Sequence, residues 1–450
     1  MPSCFKGSPA RMTQVNPFPG IRYAREKVSN LGAVICPPYD VITPEQQKSY
    51  YRQSDYNAIR LELPAQQGKE SLPVAYSRAR VTFRAWLDEK ALQMDSPAAF
   101  YLHDHYFSYR GRMRRRELIA RVKLVPWGEG VYPHEETSAK VKQDRLELLR
   151  ACQAAFSPIL ALYQDRKGKV AEILSSVTQY RPPLVVSDSG EQHLIWAINE
   201  SRMIRLLSDL LSNLSFYIAD GHHRYETALA YQRERNEGLA SPSGDDAFDH
   251  IMVSLVAFSD PGLVILPLHR VVRGIPAGAR AKLVSQVKDL FTVETVPLAE
   301  EKAGLAEAVS RELRPVSQQT DGEERLVIGI LGLEGEALTV LRQRPGISIA
   351  GAMPRARSQA YNKLGVSVLN HLVLEKIFGA AINEADIGYT VDIAEAYREV
   401  TEGNYQLAFI IQPPGVEMVK AVADAGERMP RKSTYFYPKV PAGLVINPLW

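Results

Sequence analysis

Short stretches of two-residue apolar alternation and of helical spacing follow one another along this chain with no strict strand-helix-strand rhythm. That order predicts an α+β fold of mixed sheets with helices. The spacing predicts a helix after "PPYDVI", capped by Thr43 with Pro44 in its first turn. A second helix is expected over "SLPVAYSRARVTFRAWLDEKAL", where Ala75, Ala79, Phe83, Trp86 and Leu87 form one stripe. "YNAIRLELP" alternates like a strand that Pro64 ends, and "AAFYLHDHYFSYRGRMRRRELIARVKLV" like a hairpin turning at Gly111. A helix over "SAKVKQDRLELLRACQAA" follows; the chain from "FSPILALYQD" through "HLIWAI" then reads as strand. "ESRMIRLLSDLLSNL" is a helix that leads into the strand "SFYIA". No repeat of fixed period is visible.

The 450 residues suffice for two or three domains. Residues 1–16 lack periodicity and read as a loose leader, 17–240 as a first domain, 241–412 as a second α+β domain, and 413–450 as a segment packing back on the site. The Gly, Ser and Asp tract "RNEGLASPSGDDAFDH" is the expected linker or lid. Three isolated cysteines, Cys4, Cys36 and Cys152, exclude a CxxC zinc site and fit a reducing cytoplasm. The most apolar window, "IMVSLVAFSDPGLVILPLH", is broken by Asp260, Pro261 and Pro267, so no membrane span is expected. A net charge of +3 gives composition no argument for nucleic acid. The one basic cluster, "RGRMRRR", would place Arg112, Arg114 and Arg116 on one exposed hairpin face.

"FYIADGHHRYETALAY" carries the chemistry. The strand ends at Asp220 and Gly221, after which Tyr225, Ala228 and Leu229 fall at helical spacing, so His222 and His223 occupy a first helical turn. Unpaired N–H groups and the positive dipole end collect there, and a glycine lets an anion approach closely. Arg224 adds a forked phosphate donor, His222 or His223 can donate to phosphate or move a proton, and Asp220 could hold Mg²⁺. The competing reading is a capped helix with two polar histidines on its surface. A transition-metal site would need further ligands, which "HDH" at His103 to His105 could supply. Neither GxxxxGK(S/T) nor GxGxxG occurs, so nucleotide binding here requires an unconventional cradle.

Other motifs can join that site. Glu62, at an expected strand end, is the candidate base toward a substrate hydroxyl, against a reading as strand-surface polarity. His134 precedes the helix carrying Lys142 and Arg145, which would form a basic wall or a solvated face. Lys432 lies in the loop-like "RKSTYFYPK", where aromatics interleave with cations. The double proline before Tyr39 and Asp40 sets either a ligand wall or a rigid turn.

"PPYDVI", "HEETSAKVKQDR", "ADGHHRYETA", "LPLHRVV" and "MPRKSTYFYPKVPAGLV", in this order, resemble the bacterial and archaeal family called domain of unknown function 1015, from about Phe18 onward. "DGHHR" is also similar to the signature box of the ParB and sulfiredoxin superfamily, in which a glycine, histidine and arginine at a helix start bind nucleotide phosphates. Archaeal free-serine kinases carry a similar box. The resemblance implies a ParB/sulfiredoxin-like core bearing the DGHHR helix start. It also implies a nucleotide cradle of Gly221, His223 and Arg224, to which the loop positions of His134 and Lys432 add two expected nucleotide contacts. A sulfiredoxin reaction would need a cysteine in the box, and ParB a recognition helix after it; neither is seen.

The expectation is a cytoplasmic phosphotransferase that uses ATP or another nucleoside tri- or diphosphate with Mg²⁺ at Asp220. Asp220, His222 and Glu62 would be the catalytic groups. Its partners would be a nucleotide and a hydroxylated metabolite, free L-serine first, with no membrane and no DNA. The alternative is a ParB-like CTP or ATP switch without metabolite kinase activity. A third class, a metal-dependent hydrolase, requires His103, His105, His222 and His223 within ligand distance of one another.

Overall fold

The protein is described by a computed structural model over residues 13–298, 304–314, 325–379 and 382–450. Residues 1–12 of the expected leader lie outside them. The described residues form two compact units, the first within 13–133, 137–264 and 436–450, the second within 134–136 and the described part of 265–435. Among the described residues no helix is long and apolar enough to cross a membrane.

The first unit is built on a nine-stranded mixed sheet. Its strands are β1 (Val15–Asn16), β2 (Phe100–Ser108), β3 (Arg112–Lys123), β4 (Val131–Tyr132), β5 (Ile159–Tyr163), β6 (Leu184–Asp188), β7 (Glu191–Ile198), β8 (Phe216–Asp220) and β9 (His250–Ala257). The sheet order is β4-β8-β5-β9-β3-β2-β7-β6, with β1 on β3. β8 runs parallel to β4 and antiparallel to β5, while β9 runs parallel to β5 and antiparallel to β3. Alternation along β2 sends Phe100 and Leu102 to one face and Tyr101, His103 and His105 to the other.

Among the described residues, seven helices belong to this unit: α1 (Pro44–Gln53), α2 (Ile59–Glu62), α3 (Leu72–Asp88), α4 (Ala139–Cys152), α5 (Lys169–Tyr180), α6 (Ser201–Leu211) and α7 (His222–Glu237). Tyr76, Ala79, Phe83 and Trp86 of α3 and Leu148 of α4 share a core with Tyr101, Ile119 and Met252. Val170 and Leu174 of α5, Leu207 of α6 and Tyr225 of α7 share another with Phe100, Leu102 and Leu118. The sheet thus packs a core on each face.

Several expectations hold. Thr43 and Gln46 make a reciprocal cap at the start of α1, behind Pro44. The β2-β3 hairpin turns at Gly111, with φ +119°. Other expectations fail for identifiable reasons. "AIRLE" is a helical turn, α2, instead of a strand. Asn57 Oδ1 accepts from the Ile59 N–H while its Nδ2 donates to the carbonyls of Ala33 and Ile35, pinning the turn from outside. The region read as strand between "FSPILALYQD" and "HLIWAI" contains α5, whose Val170, Leu174 and Val177 are buried at helical spacing. Val15–Asn16, placed in the leader, pairs with β3. β9, assigned to the second domain, sits in the middle of the first sheet.

The second unit has a six-stranded sheet of β10 (His269–Val272), β11 (Phe291–Pro297), β12 (Val327–Leu331), β13 (Ala337–Gln343), β14 (Ile387–Thr390) and β15 (Leu407–Ile411), ordered β11-β13-β12-β15-β10-β14. Ile328 and Ile330 of β12 face one core, and Val327 and Leu331 the other. The expected hairpin of "RLVIGILGLEGEALTVLRQ" is present as β12-β13.

Candidate functional site

β8 ends where β5 begins, because the two run antiparallel with Asp220 opposite Leu160. Ser157 and Pro158, just before β5, therefore lie beside the first turn of α7. Gly221 makes the bend with φ +93°. A Cβ there would lie 2.6 Å from Ile159 Cγ2 and 3.1 Å from Arg224 Nε, so both conformation and crowding call for glycine.

Arg224 folds back over this bend. Its Nη2 donates to Asp220 Oδ2 at 2.6 Å, and its Nη1 to Ser157 Oγ at 2.9 Å and the Pro158 carbonyl at 2.8 Å. Lys439 Nζ takes the other oxygen of Asp220. Burial alone would raise the Asp220 carboxyl, but the Lys439 ammonium and Arg224 guanidinium outweigh it and hold it well below the usual carboxylate range. The expected magnesium at Asp220 does not fit this arrangement, since each carboxylate oxygen already meets a cation. Arg224 and Lys439 thus bring two cations to a helix N-terminus, the end that suits an anion, with the carboxylates of Asp220, Asp40 and Glu62 around Arg224.

Glu62, expected on a strand surface, is buried at the end of α2, 4% exposed. Its Oε1 accepts from Ser157 Oγ at 3.0 Å and from the Tyr39 N–H at 3.4 Å. Arg145 of α4 donates to the Glu62 carbonyl at 2.8 Å and stacks over the Tyr39 ring at 4.2 Å. Burial and the Asp40 carboxylate push the Tyr39 hydroxyl up. Glu62, Arg145, Ser157 and Arg224 line one cleft with a cavity of about 70 Å³, whose other walls include Phe156 and Met252.

The two histidines differ. His222 is buried and, after Lys439 and Arg224, favours the charged form of Asp220. His223 Nε2 accepts from the Ser138 N–H at 2.9 Å, at the cap position of α4. That nitrogen is thus committed to holding two helix starts together and not to a phosphate. The expected basic wall is also reassigned: Lys142 pairs with Glu226 at 2.8 Å, where Thr137 and the Trp127 indole donate too. Burial would raise Glu226, yet Lys142, Thr137 and Trp127 together hold it down at about 2.

His134 and Lys432 belong to the second unit. His134 Nε2 meets Thr434 Oγ1 at 2.9 Å, and the Lys432 backbone N–H donates to Glu135 at 2.8 Å. The Lys432 carbonyl accepts from Arg270 at 3.0 Å. Arg116, expected on an exposed face, instead forms a paired contact with Asp104 at 2.6 and 2.7 Å. The hydrolase set is not assembled either: among the described residues His103 and His105 group with His193, without His222 and His223.

Sequence reasoning missed Ser157, which joins Arg224 to Glu62, and the pairing of Lys439 with Asp220. The only local signal for Ser157 was its Ser-Pro step at the head of an apolar run.

Residues 15–365 match the family described as protein of unknown function (DUF1015). No functionally curated protein matches the chain. Among solved structures, a conserved hypothetical protein from Pyrococcus furiosus is 13% identical with a TM-score of 0.33, covering 72% of this chain and 93% of its own. A free serine kinase in complex with AMP is 13% identical at 0.33, covering 72% and 89%. SbnI from Staphylococcus aureus, truncated at its C-terminus, is 12% identical at 0.33, covering 71% and 84%. Similarities this slight carry no argument about activity.

Proposed function

The chain belongs to the DUF1015 family, and we propose that it is a nucleotide-dependent small-molecule kinase acting on a hydroxylated metabolite, with free L-serine the first acceptor to test. The observation that carries this reading is one hydroxyl, Ser157 Oγ, which joins the Arg224 guanidinium to the Glu62 carboxylate within a single cleft. In this proposal Gly221, the N–H groups opening α7, Arg224 and Lys439 hold phosphates, a task that chiefly requires positioned positive charge. Asp220 orients Arg224 and Lys439, and His222 backs Asp220. When bound, the nucleotide supplies the phosphoryl group. Glu62 orients the acceptor hydroxyl and takes its proton. Magnesium has no ligand at Asp220 in this scheme, and no step is assigned to it.

One observation favours a second reading, a ParB-like nucleotide switch that transfers nothing to a metabolite. The cleft is walled by Leu148, Phe156, Ile159, Met252 and Leu449, an apolar lining that offers a small polar acceptor few partners.

Phosphorus NMR of the purified protein with ATP and Mg²⁺, with and without L-serine, separates the two. A phosphomonoester formed only with serine, and lost in Glu62→Gln while ADP still binds, establishes the kinase. Serine-independent release of inorganic phosphate, or ADP binding without turnover across a panel of hydroxylated acceptors, establishes the switch. Loss of ADP binding in Arg224→Ala is expected under both; unchanged binding refutes the cradle.

A further inference from the structure

Away from that cleft, three histidines meet in the interior of the first unit. β2 and β7 pair so that His105 lies opposite His193, and His103, two residues along, shares their face. The three side chains are essentially inaccessible, at 0%, 0% and 1% exposure. His103 stacks on His105 with ring centroids 5.4 Å apart, and His193 lies 4.3 Å from His105. One ring nitrogen from each residue lies within 4.8 Å of the other two. His103 Nε2 and His193 Nδ1 are 3.1 Å apart. Two nitrogens bound to one tetrahedral zinc at ordinary bond lengths stand about 3.3 Å apart.

The outer nitrogens of two rings are held by carboxylates. His105 Nε2 meets Glu191 at 2.6 Å, and His103 Nδ1 meets Glu117 at 3.4 Å. Glu117 is itself gripped by Arg115 at 2.7 Å and by Ser254. This is the carboxylate-histidine pairing that orients metal ligands from behind. With its Nε2 turned to Glu191, His105 presents Nδ1 inward, and that atom is buried with no hydrogen-bond partner. Arg115 Nη2, opposite His105 in the strand register, is a buried donor that also lacks one. Leaving such groups unmet is costly in a protein interior.

We propose that His103, His105 and His193 bind one divalent transition metal ion of the zinc class, a site separate from the nucleotide cleft. The ion takes the open Nδ1 of His105, and a water on its fourth position accepts from Arg115. Two carboxylates offset the guanidinium and part of the added charge. Glu191, whose side chain is 30% exposed, lines a surface groove with Tyr106, Asp188 and Gln192 and gives the ion its way in.

The test is metal analysis of the full chain, then Co²⁺ titration of chelator-stripped protein followed by visible absorption, which reports tetrahedral nitrogen ligation. One equivalent is expected per chain, with the bands abolished in His193→Ala and affinity about 10- to 100-fold weaker in the milder Glu191→Gln. Glu191→Gln sits at the rim, so it keeps the test valid if His193→Ala does not fold. Substoichiometric metal with no Co²⁺ bands, or binding that neither substitution weakens, overturns the site in favour of a metal-free hydrogen-bonded core.

Discussion

Replacing Gly221 with alanine tests whether the bend before α7 is built for close approach. The residue sits at φ +93°, where a Cβ costs about 1–2 kcal/mol. The added carbon would also stand 2.6 Å and 2.9 Å from two atoms of Ile159. Crowding of a packed site costs about 1–3 kcal/mol more. The expected loss is therefore roughly 2–5 kcal/mol in all. Gly168, at the start of α5, provides the control: its φ is +65° and a Cβ there would meet nothing within 4 Å, so Gly168→Ala carries only the conformational cost. Both glycines are in the first unit and report the same transition. Equilibrium urea denaturation of the two variants, compared at a common slope, should place Gly221→Ala lower in midpoint by the equivalent of about 1–3 kcal/mol. Because the new carbon also meets Arg224 Nε at 3.1 Å, ADP affinity should fall at least tenfold in Gly221→Ala and stay unchanged in Gly168→Ala. Equal destabilisation of the two would refute the crowding argument, and unchanged ADP affinity would remove Gly221 from the cradle.

Ser157→Ala removes one hydrogen bond to a buried carboxylate and one from a buried guanidinium, and should cost about 2–4 kcal/mol by denaturant melt. Glu226, held down at about 2, binds its proton more readily when the chain unfolds, so its contribution is complete above about pH 4.5 and is lost as pH falls toward 2. The stability gap between wild type and Glu226→Gln should therefore shrink across that window; a gap independent of pH would count against the Lys142, Thr137 and Trp127 cluster. Asp104→Ala leaves Arg116 mostly buried without its carboxylate and should cost about 3–5 kcal/mol, measured by the same melts.

What could be read from the sequence was what neighbouring residues decide among themselves. The cap of α1, the stripe of α3 and the turn at Gly111 involve residues within a few positions of one another, and all appear as expected. Arg224 and Asp220 are only one helical turn apart, yet their ion pair was missed because each was read as open to a ligand. α2 was misread because its turn is set by Asn57 reaching carbonyls 22 and 24 residues away. Ser157 lies 67 residues from Arg224, Lys439 lies 219 from Asp220, and His193 lies 90 from His103. Such partners are chosen by strand order, and pairings like β5 beside both β8 and β9 leave no periodic trace in the chain. His223 shows the converse: its place in the motif was plain, but its use as the acceptor for the Ser138 N–H depends on where α4 packs.

That last contact makes the imidazole of His223 a hinge pin between two helices. Any rotation of the first turn of α7 as an anion docks is passed to the start of α4. Arg145 lies seven residues further on, about 10 Å along the axis, and there it grips the carbonyl of Glu62. On the proposed kinase reading, a turn of α7 on anion binding would thus be felt at Glu62, and the carboxylate end of the cleft would answer to the phosphate end.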